Sequence, residues 1–177
     1  TVSSVSSTAD NGTYGIGSVI PITVTFDESV TVTGTPQLTL ETGDTDVVVD
    51  YSSGSGSTTL TFNYTVAAGH LSTDLDVTGE DALANSSNLI KDLAGNFGTI
   101  SVPKPGATNS LGANKAIVID GIKPAISSTS PNSNHYLNNH TKVSYTLSEA
   151  VANGTITWTR TGGSADSNSP HAKALAG

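Results

Sequence analysis

The sequence predicts an all-β protein built as a β-sandwich, and three observations carry that prediction. Polarity comes from 26 Thr and 24 Ser, while only 12% of the 177 residues are charged, about half the usual fraction. Threonine's β-branch suits a pleated strand, and Ser and Gly suit the turns between strands. Short alternating runs recur, separated by clusters of turn residues. Seven such runs with this spacing indicate a sandwich.

The runs are Val2 to Ser6, Val19 to Phe26, Gln37 to Leu40, Val47 to Tyr51, Thr58 to Val66, Thr99 to Val102 and Ala116 to Ile119. The stretch TTLTFNYTV alternates cleanly, with Leu60, Phe62, Tyr64 and Val66 on one face and Thr and Asn on the other. GSGS at 54–57 reads as a hairpin between two runs. Residues 67–98 lose the period; their acids and small residues suggest a crossing loop with a helical turn. The expected core includes Phe26, Leu38, Leu60, Phe62, Tyr64, Ile100 and Val118.

The stretch IVIDGIKPAI marks a boundary: a strand ends, Asp120-Gly121 turns, and Pro124 fixes the next entry. This divides the chain into domains 1–122 and 123–177. An internal repeat supports the division. Shifted by 121 residues, Val5 to Val30 lies on Ile126 to Val151 without a gap. Ser6, Ser7, Thr8, Asn11, Thr25, Glu28 and Val30 meet identical residues, and Ile16, Ile22 and Phe26 meet Leu137, Val143 and Leu147. The second domain thus begins with two strands. GTITWTRTGG adds a third, with Trp158 as a core anchor. About 50 residues are too few to close a sandwich of the first one's size, so the second domain is expected to be truncated, the chain being a piece of a longer polypeptide.

The formal net charge is −8. Seven Lys and Arg, scattered singly from Lys91 onward, make no basic patch, which argues against nucleic acid as a partner. An anionic membrane surface would repel the chain, and no apolar run approaches the roughly 18 residues of a membrane span. With no Cys and no Met, disulfides, thiol catalysis and thiolate metal sites are excluded. Scarce Lys and Glu with abundant Thr, Ser, Asn and Gly point to an extracellular or cell-surface location.

Chemical candidates are few. Asp27 and Glu28 are adjacent at the end of a run, where they would point to opposite faces, a poor start for paired acid–base work. His70, His135, His140 and His171 show no zinc spacing, and neither a Gly-x-Ser-x-Gly elbow nor a phosphate loop occurs. The expectation is a protein that is not an enzyme. Tyr14, Tyr51 and Tyr136 are the aromatics free to form a weak carbohydrate site. No lysine precedes Lys91, which excludes an isopeptide bond from the first strand.

TFDESVTVTGTPQLTLETG, GSGSTTLTFNYTVAAG, IKDLAGN and LGANKAIVIDG, in this order, resemble bacterial immunoglobulin-like (Big-type) repeats over residues 2 to 122. SYTLSEAVANGTITWTRTGG looks like the start of a related repeat type. The resemblance implies an immunoglobulin-like β-sandwich, one complete domain plus a truncated second. It implies a tandem repeat that serves as a spacer in a large surface, adhesin or filament-forming protein. Similar arrays carry calcium where domains meet. In an immunoglobulin-like connection Glu149, the counterpart of Glu28, stands near Asp120, and Glu28 shares a pole with Asp92 and Asn96 of KDLAGN. Facing carboxylates repel unless a cation intervenes, and calcium accepts several oxygen ligands in flexible geometry. These five residues are therefore the candidate calcium ligands, although no DxDxDG loop is present and solvated or amide-bonded acids are the plain alternative. The implied partners are neighbouring repeats or other copies of the chain, and cell-surface glycans. The alternative functions are a self-assembling unit whose incomplete second sheet a neighbour's strand completes, or a weak carbohydrate-binding module.

Overall fold

The computed structural model describes residues 1–84, 89–97, 100–130, 142–151, 153–159, 167 and 169–176. It is all-β apart from one short helix among the described residues. Two units separate, Thr1–Ile122 and Lys123–Gly177. The first contains β1 (Val2–Ser7), β2 (Gly12–Gly15), β3 (Val19–Val32), β4 (Gln37–Leu40), β5 (Val47–Ser53) and β6 (Ser57–Thr65). There follow β7 (Leu71–Ser72), β8 (Leu83–Ala84), β9 (Ile90–Asp92), α1 (Leu111–Asn114) and β10 (Ile117–Asp120).

The cleanest alternations make the centre of the first unit. Ile20, Ile22, Val24 and Phe26 of β3 are buried, as are Leu60, Phe62 and Tyr64 of β6. The two strands pair antiparallel from Val19↔Thr65 to Thr25↔Thr59, which sets both apolar faces on the same side. The main sheet runs β1-β3-β6-β5-β4-β8, with β9 also on β3. A smaller sheet joins β10 in parallel to β2 and antiparallel to β7.

The segment from Leu71 to Ala84 stitches the sheets together. Leu75 N–H donates to Ile117 O at 2.8 Å on the β10 side, and on the β4 side Glu41 N–H donates to Asp76 O at 3.0 Å and Thr39 N–H to Ala82 O at 2.9 Å. The antiparallel sheet thereby curls round one hydrophobic cluster to which strands of both sheets contribute.

Several expectations need correction. The run from Val19 does not stop at the acids: β3 continues to Val32. The register breaks between Thr25 and Val30, where five steps along β3 are matched by two along β6, Thr59 to Ser57. Val118 is not a core residue. Ile117 and Ile119 are buried, and Val118 faces the other way, because an error of one residue inverts the face of a strand. Ile100 is only partly buried against the cluster. The run Thr99 to Val102 is not a strand at its described residues Ile100–Val102; Val102 is buried, with its N–H on Glu80 O at 2.9 Å. The 67–98 stretch holds β7, β8 and β9 and no helix among its described residues. The helix is α1, whose N-cap Ser110 accepts the Ala113 N–H.

The second unit contains β11 (Ile126–Ser130), β12 (Ser144–Leu147), β13 (Asn153–Trp158) and β14 (His171–Ala176). β11 pairs antiparallel with β12, and β13 with β14; β14 is a strand that the sequence pattern did not suggest. Ile126 faces Leu147. The repeat counterparts are Val5 and Phe26, but Val5 faces Val24, a shift of two residues that keeps the faces in phase. No described residue of this unit is buried. The side chain of Trp158, and all of His135, Tyr136, Leu137 and His140, lie outside the described residues.

Candidate functional site

The acids of β3 stand where that strand changes partner. Up to Phe26 its free edge is held by β1, and from Val30 onward by β9, in the register Val30↔Asp92, Thr31↔Lys91 and Val32↔Ile90. Between the two partners Asp27 and Glu28 are both exposed. Bulges of this kind, which open pairing at one point, re-aim side chains. Asp27 is engaged by Thr1, whose amino group bonds its Oδ1 and whose hydroxyl donates to Oδ2 at 3.1 Å. Glu28, exposed within the register break, lines a cleft together with Phe26 and Val30.

That cleft has a volume of about 400 Å³. Phe26, Val30 and Ile90 line it with apolar surface, and Glu28, Asp92 and Asn96 supply its oxygen atoms. The structure therefore brings together three of the five candidate ligands. It also brings Lys91 and Phe97, which the sequence reading missed. Lys91 stands one residue before Asp92, and the signal was the three-residue β9, too short to show an alternation.

Asp92 already has partners. Its Oδ1 accepts the Asn96 N–H and its Oδ2 the Asn96 side-chain amide, both at 2.8 Å. These bonds close the loop Asp92–Asn96, in which Gly95 takes φ +90°, a conformation glycine enters without steric cost. They also hold the Asp92 carboxyl below its ordinary range, the side-chain bond contributing most and the backbone N–H of Asn96 next. Glu28, Asp92 and Asn96 carry the hard oxygen donors that calcium accepts. Among the described residues, no three of His, Cys, Asp and Glu form a group able to hold a metal ion.

The other two candidates belong to different units. Asp120 ends β10, and its Oδ1 accepts the Ile122 N–H at 3.2 Å. Glu149 follows β12, and its Oε1 is buried without a hydrogen-bond partner. A buried carboxylate oxygen with no donor is costly and suits a cation. Of the tyrosines, Tyr14 donates to Asp10 O at 2.7 Å, and Tyr51 accepts the Ser55 N–H at 2.8 Å while its ring meets Phe62 edge-on. Both are half-buried. His70 accepts the Ala67 N–H through Nδ1, and His171 begins β14.

Among the described residues no helix is long and apolar enough to cross a membrane. Buried polar side chains of the first unit bond the backbone. Ser7 donates to Pro21 O, Thr42 to Thr45 O, and Asp76 accepts from Val77 N and Gly106 N. Comparison with protein-family models, with curated proteins and with solved structures returns no match, so the resemblance to bacterial immunoglobulin-like repeats rests on the sequence motifs.

Proposed function

We propose that the chain is a non-catalytic structural repeat of a large extracellular bacterial protein, a spacer or building block in an adhesin, surface layer or filament. Its first unit is read as an immunoglobulin-like β-sandwich and its second as a partial copy. The observation that carries this reading is the use of the buried polar groups: Ser7, Thr42, Asp76 and Ser110 all bond backbone atoms. Such groups build a rigid scaffold. The N-terminal stretch also serves both sheets, with β1 on β3 and β2 on β10, as a sandwich closing over one core requires. Partners are neighbouring repeats, other copies of the chain and cell-surface glycans.

Calcium is the proposed stiffening ion, taken by Glu28 with Asp92 and Asn96 in the first unit and by Glu149 in the second. The orphaned Glu149 Oε1 supports it. An ion that binds only the folded chain raises its melting temperature. Melting with calcium and with a chelator tests this, alone and in Glu28→Gln and Glu149→Gln. A midpoint indifferent to the chelator removes calcium and leaves the spacer; rapid loss of structure under small pulling forces in a force-extension experiment removes the spacer.

A second reading has its own support. In the second unit Ile126, Val143, Leu147, Val151 and Ile156 line a groove of about 490 Å³. A strand from another copy laid in it would make the chain a self-assembling unit. Sedimentation decides: a monomer at every concentration removes this reading.

A further inference from the structure

The turn that precedes β7 carries chemistry that the proposed scaffold role does not use. His70 N–H donates to Ala67 O at 3.3 Å, closing a four-residue turn. Gly69 holds φ +90°, as the third residue of a type II turn requires. A second bond closes the same turn: Ala67 N–H donates to His70 Nδ1 at 3.2 Å. A backbone amide only donates, so Nδ1 carries no hydrogen and the ring proton is on Nε2.

The Tyr64 hydroxyl lies 2.9 Å from the same nitrogen, and the two rings stack with centroids 5.7 Å apart. Burial pushes the Tyr64 hydroxyl up to about 12. The phenol therefore keeps its proton in any ordinary buffer, and it donates to Nδ1 beside the Ala67 amide.

The turn is joined to the last residues of the first unit. Gly121 N–H donates to His70 O at 2.7 Å, and Gly69 N–H to Gly121 O at 3.0 Å. A β-carbon on Gly121 would lie 2.3 Å from Ala67 O. The imidazole, the turn and the end of β10 thus share one chain of hydrogen bonds.

We propose that His70 is a pH-sensitive latch on the end of the first unit: protonation of Nδ1 loosens the turn that grips Gly121. The added proton takes the lone pair that now receives the Ala67 hydrogen, leaving Ala67 N–H facing another N–H. The Tyr64 bond survives only in reverse, with Nδ1–H donating to the phenolic oxygen and the phenolic hydrogen turned away from its partner. Acidification supplies that proton, histidine being the side chain that most readily takes one. The charged groups on the packed elements are Asp120 of β10 and Glu41 and Asp44 of the loop after β4. Asp120 Oδ1 is engaged by the Ile122 N–H and Glu41 Oε1 by the Gly43 N–H. Protonation thus removes the Ala67 N–H to Nδ1 bond and leaves the turn with its backbone bond, His70 N–H to Ala67 O, alone.

The test uses the whole 177-residue chain and nuclear magnetic resonance. Ring nitrogen shifts report the His70 tautomer, and amide-exchange protection factors report the Ala67 and Gly121 N–H groups above and below the histidine range. The expected result is the Nε2–H tautomer at high pH. On acidification the protection of both amides falls about tenfold, the worth of one hydrogen bond, while that of Leu60 in the core holds. His70→Asn places an amide oxygen near the Nδ1 position without a titrating proton, and keeps both amides protected at either pH. An Nδ1–H tautomer at high pH, protection that does not change through the titration, or the same pH dependence in His70→Asn overturns the proposal.

Discussion

Gly54 approaches Thr59 so closely that a β-carbon on it would fall 2.1 Å from the Thr59 carbonyl oxygen. The hairpin between β5 and β6 closes only because that atom is missing. Gly54 also takes φ +112°, a conformation that L side chains rarely adopt. Gly56, in the same loop, takes φ +85° but has open space at its β-carbon position. Gly54→Ala is therefore expected to cost about 3 kcal/mol, from overpacking and backbone strain together. Gly56→Ala bears the strain alone, about 1 kcal/mol. Urea denaturation of the two variants checks the difference, and equal costs would contradict the geometry.

Gly121 has a negative-φ backbone, so alanine is barred there by space alone. Its β-carbon would meet two carbonyl oxygens, Ala67 O at 2.3 Å and His70 O at 2.7 Å. Backbone atoms give way less than side-chain tips. Gly121→Ala is expected to destabilise the first unit by about 1–3 kcal/mol and to raise amide exchange at Gly69, whose N–H donates to Gly121 O.

Ile119 and Val118 are neighbours on opposite faces of β10. Ile119→Ala removes a fully buried side chain and is expected to cost about 2–5 kcal/mol. Val118→Ala trims a half-buried one and is expected to cost less than about 1.5 kcal/mol. Thermal or urea midpoints of the pair measure the phase of the strand directly.

Asp92 gives a pH prediction. Its folded carboxyl is held below the ordinary range by Asn96, so the folded state keeps the carboxylate where the unfolded state has begun to protonate. The contribution is present at neutral pH and is lost as pH falls through the lowered value. Asp92→Asn abolishes that acid limb, and Asn96→Ala, which loses the side-chain bond but keeps the backbone N–H on Oδ1, weakens it. The amide shift of residue 96 in Asp92→Asn, and of Gly95 in Asn96→Ala, followed against pH, reads the effect.

The sequence by itself determined the all-β class and the interior of the strongest strands. Ile22, Val24, Leu60 and Phe62 sit in runs long enough for the two-residue period to be unmistakable, and period dictates face. It also marked GSGS as a hairpin, because glycine supplies the left-handed conformations the loop needs. The tertiary structure alone decided the rest. Whether Val118 or Ile119 enters the core depends on which partner β10 meets, and in the run Ile117–Ile119 all three residues are apolar. Pairings as short as β7 and β8 exist only because Leu71 and Leu83 are carried to β10 and β4 by the fold. The meeting of Glu28 with Asp92 depends on β9 taking over from β1 beside β3. That contact joins residues far apart in the chain, and no local pattern encodes it.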